Sequence, residues 1–273
     1  MPATSADTTT FAFDAAPRYP DLSGKVAVVT GSSRGIGAAT ATLLALNGAH
    51  VVVTGRREDG VAATVAAIRD AGGEATGVVG DATDAAQLER LRADAERTYG
   101  PVDVLAAFVG GSGRRPEPMA ELPLTDWSAT IDANLTATFL ALKTFLPAMM
   151  ERGRGAVVTM SSAAARLASG GPIGAPTAYA AAKAGVVRLT QEAAREAGPR
   201  GVRVNCIAPS TVLTERLELA IPPERKEELT RLHPLGRLGK PQDVASATVF
   251  LASESAGWIT GVTLDVSGGQ VMA

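Results

Sequence analysis

The sequence contains few of the residues that build metal sites or disulfide frameworks. Its 273 residues include one cysteine, Cys206, and two histidines, His50 and His233. A single cysteine cannot form an internal disulfide and is typical of a reducing, cytoplasmic location. So few Cys and His side chains cannot assemble a Cys/His metal cluster, so we expect no metal. Cys206 lies in the apolar run VRVNCIA, which favours a place in the core.

Charge, aromatic residues and long apolar runs are also scarce. The formal net charge is −2 and aromatic residues make up 4% of the chain, with no basic stripe, which argues against a nucleic-acid partner. No run of about 18 apolar residues predicts a membrane span. The first residues have neither a cationic start nor a sustained apolar core, so they do not resemble a secretory signal. Small molecules are the expected partners.

What the chain does contain is a regular alternation of two kinds of segment. Short β-branched runs alternate with longer Ala-rich stretches; the runs are VAVVT at 26, HVVVT at 50, EATGVVG at 74, VDVLAAFV at 102, AVVTM at 156, VRVNCIA at 202 and VTLDV at 262. Continuous apolar strands are typical of a sheet covered on both faces. The alternation predicts an α/β fold: a single Rossmann-type, doubly wound parallel sheet of about seven strands with helices on both faces.

The same pattern predicts one domain. Residues 1–20 are rich in Ala, Thr and Pro without periodicity and are interpreted as a flexible N-terminal extension, and residues 21–273 as a single dinucleotide-binding catalytic domain. Asp84 and Thr125 are expected to be helix N-caps. Helices are predicted near 84–98, 125–150, 176–197 and 241–252. Ligands of such sheets bind at the carboxyl ends of the strands.

The first strand continues directly into TGSSRGIG, residues 30–37. Gly31 permits a sharp turn, Gly35 lets the backbone approach a pyrophosphate, and Gly37 allows the helix to pack closely on the strand. The following helix N-terminus supplies N–H donors and positive potential. On the first strand-to-helix turn of an alternating chain, this pattern predicts dinucleotide binding, with the serines bonding phosphate.

The segment Gly31–Gly35 also fits the G-x-S-x-G nucleophile elbow of α/β hydrolases. A hydrolase needs a histidine later in the chain, and His233 is the one candidate after residue 50. His233 lies in LHPLG rather than directly after a strand, and no HGGG-like segment is present. Acyl hydrolysis is therefore the weaker interpretation.

The second strand is followed by TGRRE, with Arg56 and Arg57 where an NAD-binding site would place an acidic residue. Together with Arg34 in the phosphate loop, these arginines favour NADP(H), whose 2′-phosphate they could pair, while NAD(H) is the alternative. The alternative for the arginines themselves is a solvated surface pair. Asp81, past the third strand, could accept a hydrogen bond from an adenine amino group or cap the next helix.

Tyr179 and Lys183 in YAAAK lie four residues apart and so on one helical face. Tyrosine ionises near pH 10, and a neighbouring ammonium or a cationic nicotinamide would lower that pKa. Ser162, in MSSAAA at the end of the fifth strand, could hydrogen-bond a carbonyl that Tyr179 protonates. This arrangement predicts proton and hydride exchange with an alcohol or ketone.

These motifs resemble those of the classical short-chain dehydrogenase/reductases over about residues 21–270. TGSSRGIG is similar to the family's TGxxxGxG and YAAAK to its YxxxK. The resemblance implies a catalytic tetrad of Asn134 (in DANL), Ser162, Tyr179 and Lys183, with Lys183 also holding the nicotinamide ribose. Ser162 is chosen over Ser161 because the second serine of such a pair is usually the catalytic one. It also implies a homo-oligomer, a dimer or tetramer.

PSTVLT at 209 resembles the family's PGxxxT, in which Val212 and Thr214 would meet the nicotinamide carboxamide. Ser210 replaces the usual glycine, which is acceptable only where the turn needs no positive φ. The resemblance and the motifs together predict these cofactor-binding residues: Gly31, Ser32, Ser33, Arg34, Gly35, Ile36, Gly37, Arg56, Arg57, Asp81, Ala82, Gly110, Gly111, Asn134, Tyr179, Lys183, Pro209, Val212 and Thr214.

Three segments depart from the family pattern or vary in it. Residues 107–109 are Ala-Phe-Val where the family has Asn-Asn-Ala before Gly110, which puts the rigidity of this wall in question. The Gly/Pro-rich stretch 166–178 is longer than usual and is expected to be a loop that shapes the substrate pocket. Residues 213–236 are expected to form a mobile lid of short amphipathic helices, with a rigid surface helix as the alternative.

The predicted function is an NADP(H)-dependent oxidoreductase that interconverts a secondary alcohol and a ketone, with carbonyl reduction as the expected direction. An NAD-dependent alcohol dehydrogenase of the same family is one alternative. A dinucleotide-binding sensor without catalysis is the other, and the presence of all four tetrad residues argues against it.

Overall fold

The computed structural model describes residues 13, 17–112, 117–167 and 175–272. Within them the chain forms one seven-stranded sheet in the order β3-β2-β1-β4-β5-β6-β7. The strands are β1 (Val26–Thr30), β2 (His50–Gly55), β3 (Glu74–Val79), β4 (Val104–Ala107), β5 (Gly155–Met160), β6 (Val202–Pro209) and β7 (Thr263–Val266). Each run predicted as a strand contains one, so the predicted doubly wound parallel sheet is confirmed.

Every neighbouring pair of strands is parallel. The chain builds outward from β1 to β3 and then crosses back to place β4 on the other side of β1. The strand order therefore reverses between β1 and β4. At such a switch point the connections leave in opposite directions and open a crevice at the carboxyl ends of the strands.

The helices connect successive strands and lie on both faces of the sheet. They are α1 (Gly35–Leu46), α2 (Glu58–Asp70), α3 (Ala85–Tyr99), α4 (Leu124–Ile131), α5 (Ala137–Arg152), α6 (Thr177–Ala197), α7 (Glu215–Ala220), α8 (Pro223–Arg231) and α9 (Pro241–Ala252). Alternate residues of one strand point to opposite layers: Val29 packs with α1, α2 and α9, and Val28 with α3, α5 and α6. The two layers bury both faces, which explains the continuous apolar strands.

The helix predicted at 125–150 is interrupted. Residues Asp132–Thr136 form a π-helical turn between α4 and α5, where an extra residue is inserted into the helical ladder. Thr125 is not an N-cap, because α4 begins one residue earlier with Pro123 before it and no side-chain cap. Asp84 does cap α3, accepting from the N–H groups of Ala86 and Gln87.

Ordered contacts begin before residue 21. The Asn47 side chain, at the end of α1, accepts from the Tyr19 N–H at 2.7 Å and donates to the Pro17 carbonyl at 3.1 Å. These two bonds attach Pro17 and Tyr19 to the end of α1. Most of the predicted extension lies outside the described residues. Cys206 is fully buried, as expected of a core residue.

Candidate active site

The turn between β1 and α1 is shaped by its glycines. Gly31 and Gly35 have φ angles of +70° and +57°, a region that other residues adopt only with strain. A Cβ at Gly37 would lie 2.3 Å from the carbonyl oxygen of Gly31, so only glycine lets α1 approach the strand this closely. The turn therefore presents bare backbone and the first N–H groups of α1 toward the crevice.

The two serines of this loop differ. Ser32 is fully buried; its hydroxyl donates to the Val29 carbonyl at 2.5 Å and accepts from the Thr54 N–H at 2.9 Å. The prediction that the Ser32 side chain bonds phosphate is wrong, because this side chain instead joins β1 to β2. Ser33 is partly exposed and packs against the backbone of Gly55 and Gly60.

The position of His233 contradicts the hydrolase interpretation. It needs His233 to face Ser33, but Nε2 of His233 lies 2.9 Å from the hydroxyl oxygen of Ser210, after β6. The loop serine and the histidine therefore cannot act as a pair, and the G-x-S-x-G match is a coincidence of the glycine pattern.

The three arginines predicted near the adenosine ribose are not equivalent. Arg57 forms an ion pair and hydrogen bonds with Asp59, two residues further on. Arg34 and Arg56 are exposed, and within the described part of the chain their side chains have neither a hydrogen bond nor an ion pair. The Arg34 and Arg56 side chains are therefore free to pair with a bound anion, whereas Arg57 is already paired with the Asp59 carboxylate.

Asp81 and Ala82 follow β3 at the same edge. The Asp81 carboxylate accepts from the N–H and the hydroxyl of Thr83, at 2.9 and 2.8 Å. It does not cap α3, since Asp84 does, so the capping alternative for Asp81 is wrong. Ala82 is buried beneath it.

The atypical wall after β4 is held by Asn134. The buried Asn134 accepts from the Gly111 N–H at 3.0 Å, and its amide donates to the carbonyls of Gly111 at 3.1 Å and Thr130 at 2.9 Å. On the other side, the Thr30 hydroxyl accepts from the Phe108 N–H at 2.9 Å. These bonds fix the backbone of the wall without the amides that the family pattern has there.

Gly110 is the tightest point of this wall. Its φ is +150°, and a Cβ there would lie 2.5 Å from Oδ1 of Asn134 and 3.1 Å from Nζ of Lys183. Asn134 itself is positioned by the π turn, which lies in the middle of the interrupted helix. The glycine thus allows the β4 wall, the π turn and α6 to meet at one place.

Tyr179 and Lys183 lie on one face of α6, as the spacing predicts. The ammonium of Lys183 lies 5.6 Å from the centroid of the Tyr179 ring and donates to the Met160 carbonyl at 2.8 Å. Lys183 is buried, and this desolvation lowers its pKa to about 8. The site therefore keeps a cation within low-dielectric surroundings, held by one carbonyl at the end of β5.

Burial raises the pKa of Tyr179, and a hydrogen bond with the Ser162 side chain lowers it by less. The expected lowering of this pKa by Lys183 is not found in the protein alone, because loss of hydration outweighs the neighbouring groups. At neutral pH the phenol is consequently protonated. It is placed to give a proton rather than to take one.

Ser161 and Ser162 make different contacts. The Ser161 hydroxyl is buried and donates to the Lys183 carbonyl at 2.7 Å, which attaches β5 to α6. Ser162 is partly exposed; it accepts from the Ala164 N–H at 3.2 Å and shares a hydrogen bond with Tyr179. Ser161 lines the cleft, whereas Ser162 is the serine bonded to Tyr179, so the choice of Ser162 as the catalytic serine stays a prediction.

The segment after β6 forms the remaining wall. Val212 pairs with Gly239 in a short parallel bridge, and Thr214 caps α7 by accepting from the Leu217 N–H at 3.4 Å. No described residue other than glycine has a positive φ, so Ser210 is unstrained where the family pattern has glycine. Pro209 is the last residue of β6.

These elements enclose a cleft of about 350 Å³. Its lining includes glycine backbone, Tyr179, Lys183, Met160 and Val212. Of the predicted site residues the cleft brings together Gly31, Arg34, Gly35, Ile36, Gly37, Gly110, Gly111, Tyr179, Lys183, Val212 and Thr214. A dinucleotide suits this lining, because the N-terminal turn of α1 can hold its pyrophosphate and the Lys183 side chain lies in the same cleft.

Sequence reasoning missed Glu215, which also lines the cleft. Its Oε2 atom is buried without a hydrogen-bond partner and lies 3.9 Å from the Cβ position of Gly35. The available signal in the sequence was that Glu215 directly follows Thr214, which is a predicted cofactor-binding residue. A carboxylate beside the phosphate loop would repel an anion bound there.

The predicted lid contains two short helices, α7 and α8. Glu215, Arg216 and Leu217 of α7 line the cleft, and Leu229 of α8 is buried. Residues 168–174 of the predicted substrate loop lie outside the described residues. Ahead of them, Arg166 forms an ion pair with Asp265 at 3.3 Å.

Among the described residues, no helix combines the length and apolar character required to cross a bilayer. No cluster of three or more His, Cys, Asp or Glu side chains among them could hold a metal ion.

Comparison with known proteins identifies the family of the chain. A family model described as enoyl-(acyl carrier protein) reductase matches residues 31–270. D-threitol dehydrogenase of Mycolicibacterium smegmatis is 39% identical over 251 residues, covering 92% of this chain and 94% of the relative. The 3-oxoacyl-[acyl-carrier-protein] reductase FabG of Escherichia coli is 36% identical over 253 residues, covering 92% and 99%.

A solved structure of 7α-hydroxysteroid dehydrogenase, complexed with NADH and 7-oxo glycochenodeoxycholic acid, superposes with a TM-score of 0.85. It is 35% identical and covers 93% of this chain and 97% of its own. The chain therefore belongs to the short-chain dehydrogenase/reductase family and is an oxidoreductase of alcohols and ketones. The resemblance seen in the motifs is confirmed.

Proposed function

We propose that this protein is an NADP(H)-dependent carbonyl reductase. The observation that carries the proposal is the partly buried Tyr179 beside Ser162 and Lys183, in one cleft with the glycine-rich phosphate loop. Arg34 and Arg56, free of other partners among the described residues, supply the two charges that favour NADP(H).

Different residues along the cleft would bind different parts of the cofactor. Gly31, Gly35 and the first turn of α1 would hold the pyrophosphate, with Arg34 and Arg56 at the 2′-phosphate. Lys183 would hold the nicotinamide ribose, and Val212 and Thr214 the carboxamide. Gly110 and Gly111 keep the β4 wall low enough for a ligand to lie against it.

The chemistry follows from the protonation states. When bound, the reduced nicotinamide supplies a hydride to the carbonyl carbon and is itself oxidised. Tyr179 donates its phenolic proton to the carbonyl oxygen, so that an alcohol forms. Ser162 hydrogen-bonds the same oxygen and orients it. The Lys183 ammonium stabilises the phenolate left on Tyr179. Asn134 fixes the wall beside Lys183 through Gly111.

The direction rests on Tyr179. Because burial raises its pKa, the phenol is protonated at neutral pH and acts as an acid. An acid at this position serves carbonyl reduction. Alcohol oxidation would require a phenolate, and thus a higher pH.

NAD-dependent alcohol oxidation is the second candidate. One observation favours it: Arg57 is already paired with Asp59, so one of the three predicted arginines is engaged. The D-threitol dehydrogenase and the NADH-bound hydroxysteroid enzyme among the relatives are consistent with it. A non-catalytic sensor is disfavoured because the cleft places Tyr179 and Lys183 together.

Two measurements test the proposal. Titration of NADPH and NADH by protein fluorescence should give the tighter binding for NADPH. A panel of ketones and alcohols followed by cofactor absorbance should show NADPH consumption with ketones at pH 7. Tighter NADH binding would remove the argument from Arg34 and Arg56, and turnover restricted to alcohols would reverse the proposed direction.

A further inference from the structure

Ser210 stands where the family pattern has glycine, and its hydroxyl lies between two clefts. It lines the catalytic cleft and also a neighbouring cleft of about 340 Å³ on the far side of the Pro209–Thr214 segment. Its backbone has no positive φ, so glycine is not needed for the turn. The side chain must therefore be explained by its contacts.

Ser210 belongs to a cluster of three polar side chains. Its hydroxyl oxygen lies 2.9 Å from Nε2 of His233 and also contacts the side-chain amide of Gln270. On the other side of the ring, Nδ1 of His233 lies 2.7 Å from the Leu229 carbonyl oxygen. His233 is only 3% exposed, and these contacts are the hydrogen bonds of its ring among the described residues.

The protons in this cluster are ordered. The Leu229 carbonyl can only accept, so Nδ1 of His233 carries a hydrogen. In a neutral ring Nε2 then accepts from the Ser210 hydroxyl, and the Gln270 amide must turn its NH₂ toward the serine oxygen. If the ring is protonated, Nε2 donates to Ser210, whose hydrogen goes to the Gln270 oxygen. Either way, the Ser210 hydroxyl connects the two partners.

The cluster joins three separate parts of the chain. His233 follows lid helix α8, whose last turn carries Leu229. Gln270 belongs to the C-terminal segment, which also packs against the His233 ring through Gly268. Ser210 begins the segment that leads to Val212 and Thr214. A hydrogen-bonded serine here can therefore hold that segment against both the lid and the C-terminal segment.

We propose that Ser210, His233 and Gln270 are positioning residues, which fix the Pro209–Thr214 segment where it meets the nicotinamide half of the cofactor. The inference rests on the proposed function, since it needs a dinucleotide in the cleft. It adds three residues that act through Val212 and Thr214 and do not themselves touch the reacting atoms. Thr214 also lies against Gly35 of the phosphate loop, whose Cβ position is 3.3 Å from Cγ2 of Thr214, so binding of the adenosine half is measured separately below.

Two substitutions at one position separate the hydrogen bonds. His233→Gln places an amide near the position of Nε2 and keeps a partner for Ser210. His233→Asn places its amide near Nδ1, so it keeps Leu229 and loses Ser210. Ser210→Ala removes the same bond at a partly exposed position without creating a large cavity.

The readout is binding of NADPH compared with 2′,5′-ADP, which is the adenosine half alone. We expect His233→Asn and Ser210→Ala to weaken NADPH by about three- to tenfold, the effect of losing one hydrogen bond. His233→Gln should stay within about twofold of the wild type. Binding of 2′,5′-ADP should be unchanged in all three. If NADH is the tighter cofactor, NADH and ADP replace the two probes.

Equal NADPH affinity in wild type and Ser210→Ala would overturn the inference and leave the proposed function intact. Equal losses in His233→Gln and His233→Asn, or a matching loss of 2′,5′-ADP binding, would also overturn it, because the cluster would then have a general packing role. Failure of the wild type to bind any of the probes would remove the proposed function first and the inference with it.

Discussion

The phosphate end and the Tyr179 end of the cleft use different kinds of chemical group. At the phosphate end the working groups are backbone N–H groups, and the glycines there permit the positive φ angles of the turn and the close packing of α1. At the Tyr179 end they are side chains, of which Lys183 and Ser161 are buried and hydrogen-bonded to carbonyls of a neighbouring element. The first end is specified within eight consecutive residues, whereas the second needs β4, β5, α6 and the π turn to come together.

This difference explains how substitutions should act. At the phosphate end, a changed side chain alters how strongly a cofactor is held. At the Tyr179 end it alters chemistry, stability and pH dependence together, since these groups are buried.

Tyr179→Phe removes the proton donor and little volume. We expect turnover to fall by about a thousandfold, within the range for loss of a general acid, while NADPH affinity changes little. Tyr99→Phe is the matched control, because Tyr99 stacks on His50 away from the cleft. A Tyr179→Phe enzyme with most of its kcat would contradict the proposed chemistry.

Lys183→Met tests the cost of a buried cation. The pKa of Lys183 falls from 10.5 to about 8 in the folded protein, so the unfolded chain binds more protons between these values. Stability therefore rises with pH across this window and is lowest below about pH 8. Removing the charge should raise the free energy of unfolding at pH 7 by up to about 3 kcal/mol and abolish turnover.

The measurement is denaturant unfolding at pH 7 and at pH 10. The advantage of Lys183→Met over wild type should shrink at pH 10, where the wild-type lysine is neutral in the fold. Lys143→Met on α5, an exposed position, should leave the pH dependence as it is. A constant difference at both pH values would show that burial does not depress the pKa of Lys183.

Asn134→Ala tests the atypical wall. It leaves the N–H and carbonyl of Gly111 without their partner, and we expect the protein to lose about 2 kcal/mol of stability. Cofactor affinity should fall as well, because Gly110 and Gly111 would no longer be held. Thr136→Ala in the same π turn is the control, since its hydroxyl bonds only Asp132 near the surface. Comparable loss of stability in both variants would assign the effect to the turn rather than to Gly111.

The contrast also shows how far the sequence could predict the structure. The strands and the phosphate loop were predictable because continuous apolar runs and glycine spacing are local signals. The π turn was not, since one inserted residue hardly changes a helical period. Ser32 was misassigned because its partner, Thr54, lies on the next strand. The Ser210–His233 contact joins residues 23 apart in the chain, and only the fold shows it.

The smallest effect is expected at the phosphate end. Arg56→Ala should weaken NADPH by about tenfold, the loss of one charge-assisted bond, and leave NADH unchanged. Arg57→Ala is the matched control. Because Arg57 is paired with Asp59, this substitution should lower NADPH affinity by less than Arg56→Ala does. Fluorescence titration of both cofactors against both variants gives the comparison. Equal losses would mean that Arg57 leaves Asp59 for the cofactor, and equal effects on NADPH and NADH would show that neither arginine recognises a 2′-phosphate.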